Sequence, residues 1–372
     1  IVVLFWLLTV IIIHAGIWMK PKTFSYEQFL HILGSSMFLL AGIFAVALYL
    51  NATEPVLLRR NSRITLIALL VLLPLVLSKI AYRLFQTSGI FSPEVMIFLL
   101  PFPLAPLLTR ILISMHAAVA AGILFTIASS LLAGENFPAI VTGITAVFVI
   151  TFLSQSIKTR AKVLAVSLWT AASQLICVAA YAMIFWERIA ITTIIYQSAG
   201  CFGSALISAM IVLVFLPAFE SIFAITTDIK LLELSDLGHP LLQRLAIEAP
   251  GTYHHSLLVA SLAQAAADEI GANSLLARVS AYFHDIGKLV KPEFFAENIH
   301  LNNPHDDLPP SMSTLILSSH VKEGLSLAMI HKLPPPIINV IREHHGTSLM
   351  SVFHHKAKEQ MELTSDKNTP LV

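Results

Sequence analysis

"VSAYFHDIGKLVKP", residues 279–292, sets a His-Asp pair, a glycine and two lysines side by side after more than two hundred residues that are almost entirely apolar. An imidazole and a carboxylate are costly to bury unless each finds a partner. Two parts of the sequence bear on where those partners come from. One is made for a membrane, and the other is rich in histidine.

Of the 372 residues, 56% are hydrophobic and 12% charged, against about 25% charged in ordinary soluble domains. Residues 1–219 carry 12 Lys/Arg and 5 Asp/Glu, a balance of +7, whereas residues 220–372 carry 11 and 17, a balance of −6. Twelve of the 15 histidines follow residue 238. The near-neutral total thus joins two unlike halves. With no dense Lys/Arg run, nothing attracts duplex nucleic acid, and no nucleic-acid polymer is expected as a partner. Cys177 and Cys201 sit in apolar segments and read as small buried hydrophobes, without a CxxC metal pattern.

A bilayer core asks for roughly 20 apolar residues per helix. Windows of that kind lie at about 1–19, 30–50, 64–85, 94–109, 111–133, 137–156, 162–186 and 198–218. The fourth is short and interrupted by "PFPLAP" (101–106), which suits a kinked or re-entrant span whose freed carbonyls other helices cover. Arg59, Arg60 and Arg63, then Arg110, then Lys158, Arg160 and Lys162 fall in loops on one side of an eight-span chain. That side is cytoplasmic by the positive-inside rule, and both ends share it. Lys20, Lys22, Lys79 and Arg83 run against the rule. His14 and His116 are single histidines near span ends, read as interfacial groups. Without paired carboxylates or a charged relay, transport is disfavoured.

Residues 216–245 leave the membrane as an amphipathic stretch, with Leu231, Leu232 and Leu234, then Leu241, Leu242 and Leu245, at helical spacing. Gly238 and Pro240 interrupt it. Beyond Ala249 the pattern is helical throughout: 256–271 closed by Gly271, 273–289 opened by Asn273, 313–333 stopped by Pro334, and 336–346 closed by Gly346. The expected fold is therefore all-α. A polytopic transmembrane helix bundle (1–219) is followed by a connector helix (220–248), an all-helical domain (249–360) and a flexible tail (361–372).

His255 precedes the first of these helices, His284 and Asp285 end the second, His320 lies in the third, and His344 and His345 end the fourth. A lone histidine would be a core or surface residue. Five of them with an aspartate, spread over four helices, fit a metal cluster better than packing. Borderline divalent metals take imidazole nitrogen and carboxylate oxygen, and a shared carboxylate can bridge two ions about 3.5–4 Å apart. His254 reads as a supporting residue. Asn303, Pro304 and His305 read equally as loop-shaping residues, and His354 and His355 as solvated.

The ordered set "APGTYHHS", "HDIGK", "SSHVKEG" and "EHHG", after a multi-span region, resembles the HD-domain phosphohydrolase superfamily. More narrowly it is similar to the seven-transmembrane HD family, the PgpH-type cyclic di-AMP phosphodiesterases, over about residues 30–360. The resemblance implies an HD-type metal-dependent phosphohydrolase domain. It implies a first metal on His255, His284 and Asp285, and a second on Asp285, His320, His344 and His345. Lys288 would contact phosphate, so Asp285 and Lys288 are the catalytic candidates. The cofactors implied are two divalent transition-metal ions, manganese or iron. The activity implied is hydrolysis of a cyclic dinucleotide, cyclic di-AMP to linear pApA, by a multi-pass protein of the cell membrane with a cytoplasmic HD domain. The partners are that substrate and the lipid bilayer, with a homodimer left open.

Two features depart from the family pattern. Only about ten residues (20–29) stand where the family carries a large extracellular domain. The family's last ligating Asp lies on a helix after "KAKE", and Asp366 reads as a tail residue instead. The chain is then either truncated or weak at the first metal. Two rival readings share the ligand set. One is an HD hydrolase of another nucleotide (cyclic di-GMP or a guanosine alarmone), and the other a membrane receptor whose degenerate HD domain binds nucleotide without turnover.

Overall fold

The computed structural model describes residues 1–18, 25–154, 157–299 and 303–364. Lys20, Lys22 and Asp366, each singled out in the sequence, lie outside the described residues. Among the described residues every regular element is helical. The chain divides into two compact units, Ile1–Phe223 and Ala224–Val372.

The first unit contains α1 (Val2–Trp18), α2 (Tyr26–Thr53), the single turn α3 (Pro55–Leu58), α4 (Asn61–Ser88), the single turn α5 (Pro93–Met96), α6 (Leu104–Leu112), α7 (Met115–Leu132), α8 (Phe137–Leu153), α9 (Arg160–Ile184) and α10 (Ile191–Phe223). Six helical segments are long and apolar enough to cross a membrane, the stretch Pro93–Leu112 counting as one. Val2–Ala15 and Phe137–Leu153 are shorter apolar helices. Each of the eight expected windows therefore holds an apolar helix, and two of them are short for a bilayer. Phe38, Phe44, Phe148, Trp169 and Met210 point outward, as lipid-facing side chains must. Small residues let the backbones approach inside. A Cβ on Gly143 would fall 2.4 Å from Thr126, and one on Gly122 would fall 2.4 Å from Val147.

The segment Pro93–Leu112 is broken, because Pro101 and Pro103 lack amide donors and interrupt the helix between Leu99 and Leu104. Lipid would not tolerate that backbone. Here it is covered by protein: Phe98, Leu100, Phe102 and Leu104 are all buried, and the Gln197 side-chain amide of α10 donates to the Glu94 carbonyl at 3.2 Å.

The second unit holds α11 (Asp228–Leu234), α12 (Pro240–Glu248), α13 (Pro250–Glu269), α14 (Ser274–Phe283), α15 (Pro310–Ile330), α16 (Pro335–Glu343) and α17 (Ser351–Thr364). The stretch 220–248 is two short helices after the end of α10, interrupted where Gly238 and Pro240 stand. Leu231, Leu234, Leu241, Leu242 and Leu245 join Val279, Phe283, Ile286, Ile337 and Ile341 in one core. Local chemistry sets the ends. The Asn273 side chain accepts from the Leu276 amide, while Gly271 and Gly346 take positive φ at the close of their helices.

Candidate metal centre

Four helices and one turn build the site. α13 begins at Pro250, six residues earlier than the expected 256, because proline suits the first turn, where its missing amide has no helical partner. His255 accordingly lies inside the helix and does not precede it. The α14 helix stops at Phe283, and His284 and Asp285 lead into a 3₁₀ turn over Ile286–Val290. This turn meets α15 backbone to backbone. A Cβ on Gly287 would lie 1.8 Å from the His320 carbonyl oxygen and 2.5 Å from the Gly324 nitrogen. Only glycine permits that approach, which carries His320 to Asp285. His344 caps the C-terminal end of α16, with His345 following.

Two groups result. Asp285, His320, His344 and His345 offer ligand atoms that all lie within 4.8 Å of one another, and so do His255, His284 and Asp285. Asp285 is shared and buried. His345 and His255 are exposed, so the site opens to solvent at both ends.

The imidazoles are aimed by the backbone. Nδ1 of His284 contacts the Ala281 carbonyl at 2.8 Å, that of His320 the Leu317 carbonyl at 2.5 Å, and that of His344 the Ile341 carbonyl at 2.9 Å. A carbonyl accepts only, so Nδ1 carries the proton and Nε2 is left as a lone pair in the neutral ring. Those lone pairs converge. The Nε2 atoms of His320 and His344 stand 3.4 Å apart, and that of His345 is 3.0 Å from that of His320. Nε2 of His320 and of His344 face Asp285 Oδ1 at 3.5 and 3.4 Å, yet Oδ1 is buried without a hydrogen-bond partner. Inward lone pairs around an orphaned carboxylate oxygen repel one another unless a cation lies between them. The donor set, imidazole nitrogen with one carboxylate, fits a borderline divalent metal.

Charge is balanced on the other oxygen. Asp285 Oδ2 accepts from Lys288 Nζ at 2.9 Å and lies 3.1 Å from His284 Nε2. Burial alone would raise the Asp285 pKa. The neighbouring His284, His344 and Lys288, the last a fixed positive charge, outweigh it and hold the carboxyl far below the usual range. Partial burial of the ring in an otherwise exposed residue, then the neighbouring His344 and His320, pushes His345 down to about 4, so it is neutral at physiological pH.

Sequence reasoning missed the surroundings of Lys288. Its Nζ is 2.7 Å from Glu297 Oε1 and 4.9 Å from the centre of the Phe295 ring. Glu297 also accepts from the Thr252 hydroxyl at 2.9 Å. The available signal was "FFAEN" (294–298), an acid inside an apolar stretch shortly after the lysine. His305 stands outside both donor groups and braces its loop, its Nε2 meeting the Phe294 carbonyl at 2.8 Å. His254 is exposed, and His355 pairs with Glu359 at the surface.

The family model described as "7TM receptor with intracellular HD hydrolase" matches residues 29–227, and the HD domain model matches residues 252–368. The first match alone spans more than half of the chain. The chain belongs to the family of 7TM receptors with an intracellular HD hydrolase. As a member of that family it is a multi-pass membrane protein, with apolar helices in the first unit and an HD domain in the second.

Among this family member's relatives is the cyclic-di-AMP phosphodiesterase PgpH of Bacillus subtilis (strain 168). It is 32% identical over 341 residues, which cover 88% of this chain and 47% of the relative. The cyclic-di-AMP phosphodiesterase PgpH of Listeria monocytogenes serotype 1/2a (strain 10403S) is 46% identical over 165 residues, covering 44% of this chain and 22% of the relative. A solved structure of the L. monocytogenes phosphodiesterase PgpH HD domain in complex with cyclic-di-AMP is 46% identical. It covers 37% of this chain and 62% of that one, with a TM-score of 0.34. The chain thus spans about half or less of the length of these curated relatives.

Proposed function

We propose that this protein is a membrane-anchored, metal-dependent phosphodiesterase that hydrolyses cyclic di-AMP to linear pApA. The observation that carries the reading is the convergence of imidazole lone pairs on the orphaned Oδ1 of Asp285, beside a lysine. The choice of cyclic di-AMP rests on the names of the two relatives. We assign the first divalent ion, manganese or iron, to His255, His284 and Asp285, and the second to Asp285, His320, His344 and His345.

Bound there, the ions would supply an acidified water and neutralise charge on the phosphate. The chain's own groups do the rest. Asp285, held ionised, gives both donor sets a shared negative charge. The three Nδ1–H tethers keep the rings from turning. Lys288, with 11% of its side chain exposed, offers a fixed positive charge to an anionic phosphodiester that would otherwise repel hydroxide. The solvent-exposed His255 and His345 mark the ends from which a dinucleotide would enter.

The test is product analysis. The purified full chain, loaded with manganese, is incubated with cyclic di-AMP, cyclic di-GMP and a guanosine alarmone. Formation of pApA that stops on chelation is the expected result. Binding without turnover for every nucleotide would sink the proposal.

A further inference from the structure

Lys288 has two carboxylate partners, not one. Its Nζ lies 2.9 Å from Asp285 Oδ2 and 2.7 Å from Glu297 Oε1. Glu297 is itself pinned. The Thr252 hydroxyl donates to its Oε1 at 2.9 Å. The Asn298 amide donates to that same hydroxyl at 2.8 Å, and Asn298 Oδ1 accepts from the Thr252 backbone at 3.1 Å. Gly251 allows this interlock, since a Cβ there would fall 1.9 Å from the Glu297 carbonyl oxygen. The turn that carries Glu297 is therefore locked to the start of α13, three residues ahead of His255.

We propose that Glu297 is a positioning residue that draws Lys288 away from Asp285 as a divalent cation arrives, and keeps the ammonium at the rim of the site. The inference rests on the metal-centre reading above and deepens it. A cation on Asp285 repels the ammonium that now sits on the same carboxylate. Without a second anion the lysine would either block the carboxylate or swing into solvent. With Glu297 the Nζ has a partner within reach in both states, and the Phe295 face supports it at 4.9 Å. Lys288 then remains available for a phosphate.

The experiment needs no substrate. Manganese alone is titrated calorimetrically into the metal-stripped full chain in detergent, for the wild type, Glu297→Gln, Lys288→Met and the double variant. Gln keeps the shape and the acceptor for Thr252 but removes the charge. Glu297→Gln should bind manganese roughly tenfold more weakly, because Lys288 falls back on Asp285. Lys288→Met should bind at least as tightly as the wild type, and Glu297→Gln should have no further effect in that background. Thr252→Val, which strips the hydroxyl ties but spares the ion pair, should stay within about threefold of the wild type. Glu297→Asp keeps the charge with a shorter reach and should give an intermediate loss. It also serves if Gln is not tolerated. An equal loss with and without Lys288, or no loss in Glu297→Gln, overturns the inference while leaving the metal centre intact. A wild type that takes up no manganese defeats the metal-centre reading, and this inference with it.

Discussion

Gly287 and His320 meet backbone to backbone, so closely that a Cβ on the glycine would lie 1.8 Å from the histidine's carbonyl oxygen. This contact seats α15 against the turn that bears Asp285. Overpacking of a tight contact commonly costs about 1–3 kcal/mol, occasionally more, and the atoms met here are backbone, which cannot rotate aside. Gly287→Ala should therefore lower the melting temperature of the second unit and move His320 off the cluster. Thermal melts and manganese titration check both halves of this outcome. A stable variant with wild-type metal affinity would remove the contact from the account.

The two donor groups are unequal. One has Asp285 with three histidines, and the other has Asp285 with His255 and His284, of which His255 is exposed. Changes at supporting residues alone commonly cost factors of ten to a hundred in metal affinity. Manganese should accordingly bind residues 1–372 in two classes at least tenfold apart. Asp285→Asn should abolish the tight class with little loss of helicity. Elemental analysis after dialysis, with circular dichroism alongside, decides it. Two equally tight ions would argue that another group completes the weaker set.

His239 caps α12 through Nδ1, which accepts from the Leu241 amide at 3.3 Å. Burial, then His331 and Lys230, lowers its pKa below the usual imidazole value of about 6.5, with Asp236 opposing. The unfolded chain thus takes up a proton that the folded one refuses. Stability should fall as pH drops below about 6.5 towards the folded pKa, and level off below it. Losing such a cap is worth about 1 kcal/mol. His239→Asn, a cap that does not titrate, should flatten this part of the pH profile. Chemical denaturation of the wild type and the variant between about pH 5 and pH 7.5 would reveal it, and identical slopes would count against the cap.

The basic turns at Arg59–Arg63 and at Arg160 should face the same side as the HD domain. In a chain whose Cys177 and Cys201 are replaced by Ala, Arg59→Cys and Arg160→Cys should react with an impermeant thiol reagent only after the membrane is opened. Glu135→Cys should react without opening. Labelling of positions 59 and 160 from opposite sides would mean that one of the segments between them does not cross.

What the sequence made legible was local or periodic. Apolar windows give the membrane helices, Asn273 and Gly271 mark helix ends within a few residues, and the histidines point to a candidate metal centre through residue type alone. Proximity across long separations was not legible. Thr252 and Asn298, 46 positions apart, share no spacing rule, so the cage around Lys288 stayed hidden. One error of extent has a plain cause: the α13 helix starts early because Pro250 opens it. The break between α11 and α12 falls where Gly238 and Pro240 marked it. The interruption at "PFPLAP" was readable because proline acts on its own backbone.

His284, His320 and His344 each rest on the carbonyl three residues earlier in their own chain segment. The aim of the donors is thus written into helical geometry, not into the side chains around them. A substitution among the surrounding side chains therefore leaves the donors aimed, and the entrance to the site can change shape while the donor geometry stays fixed.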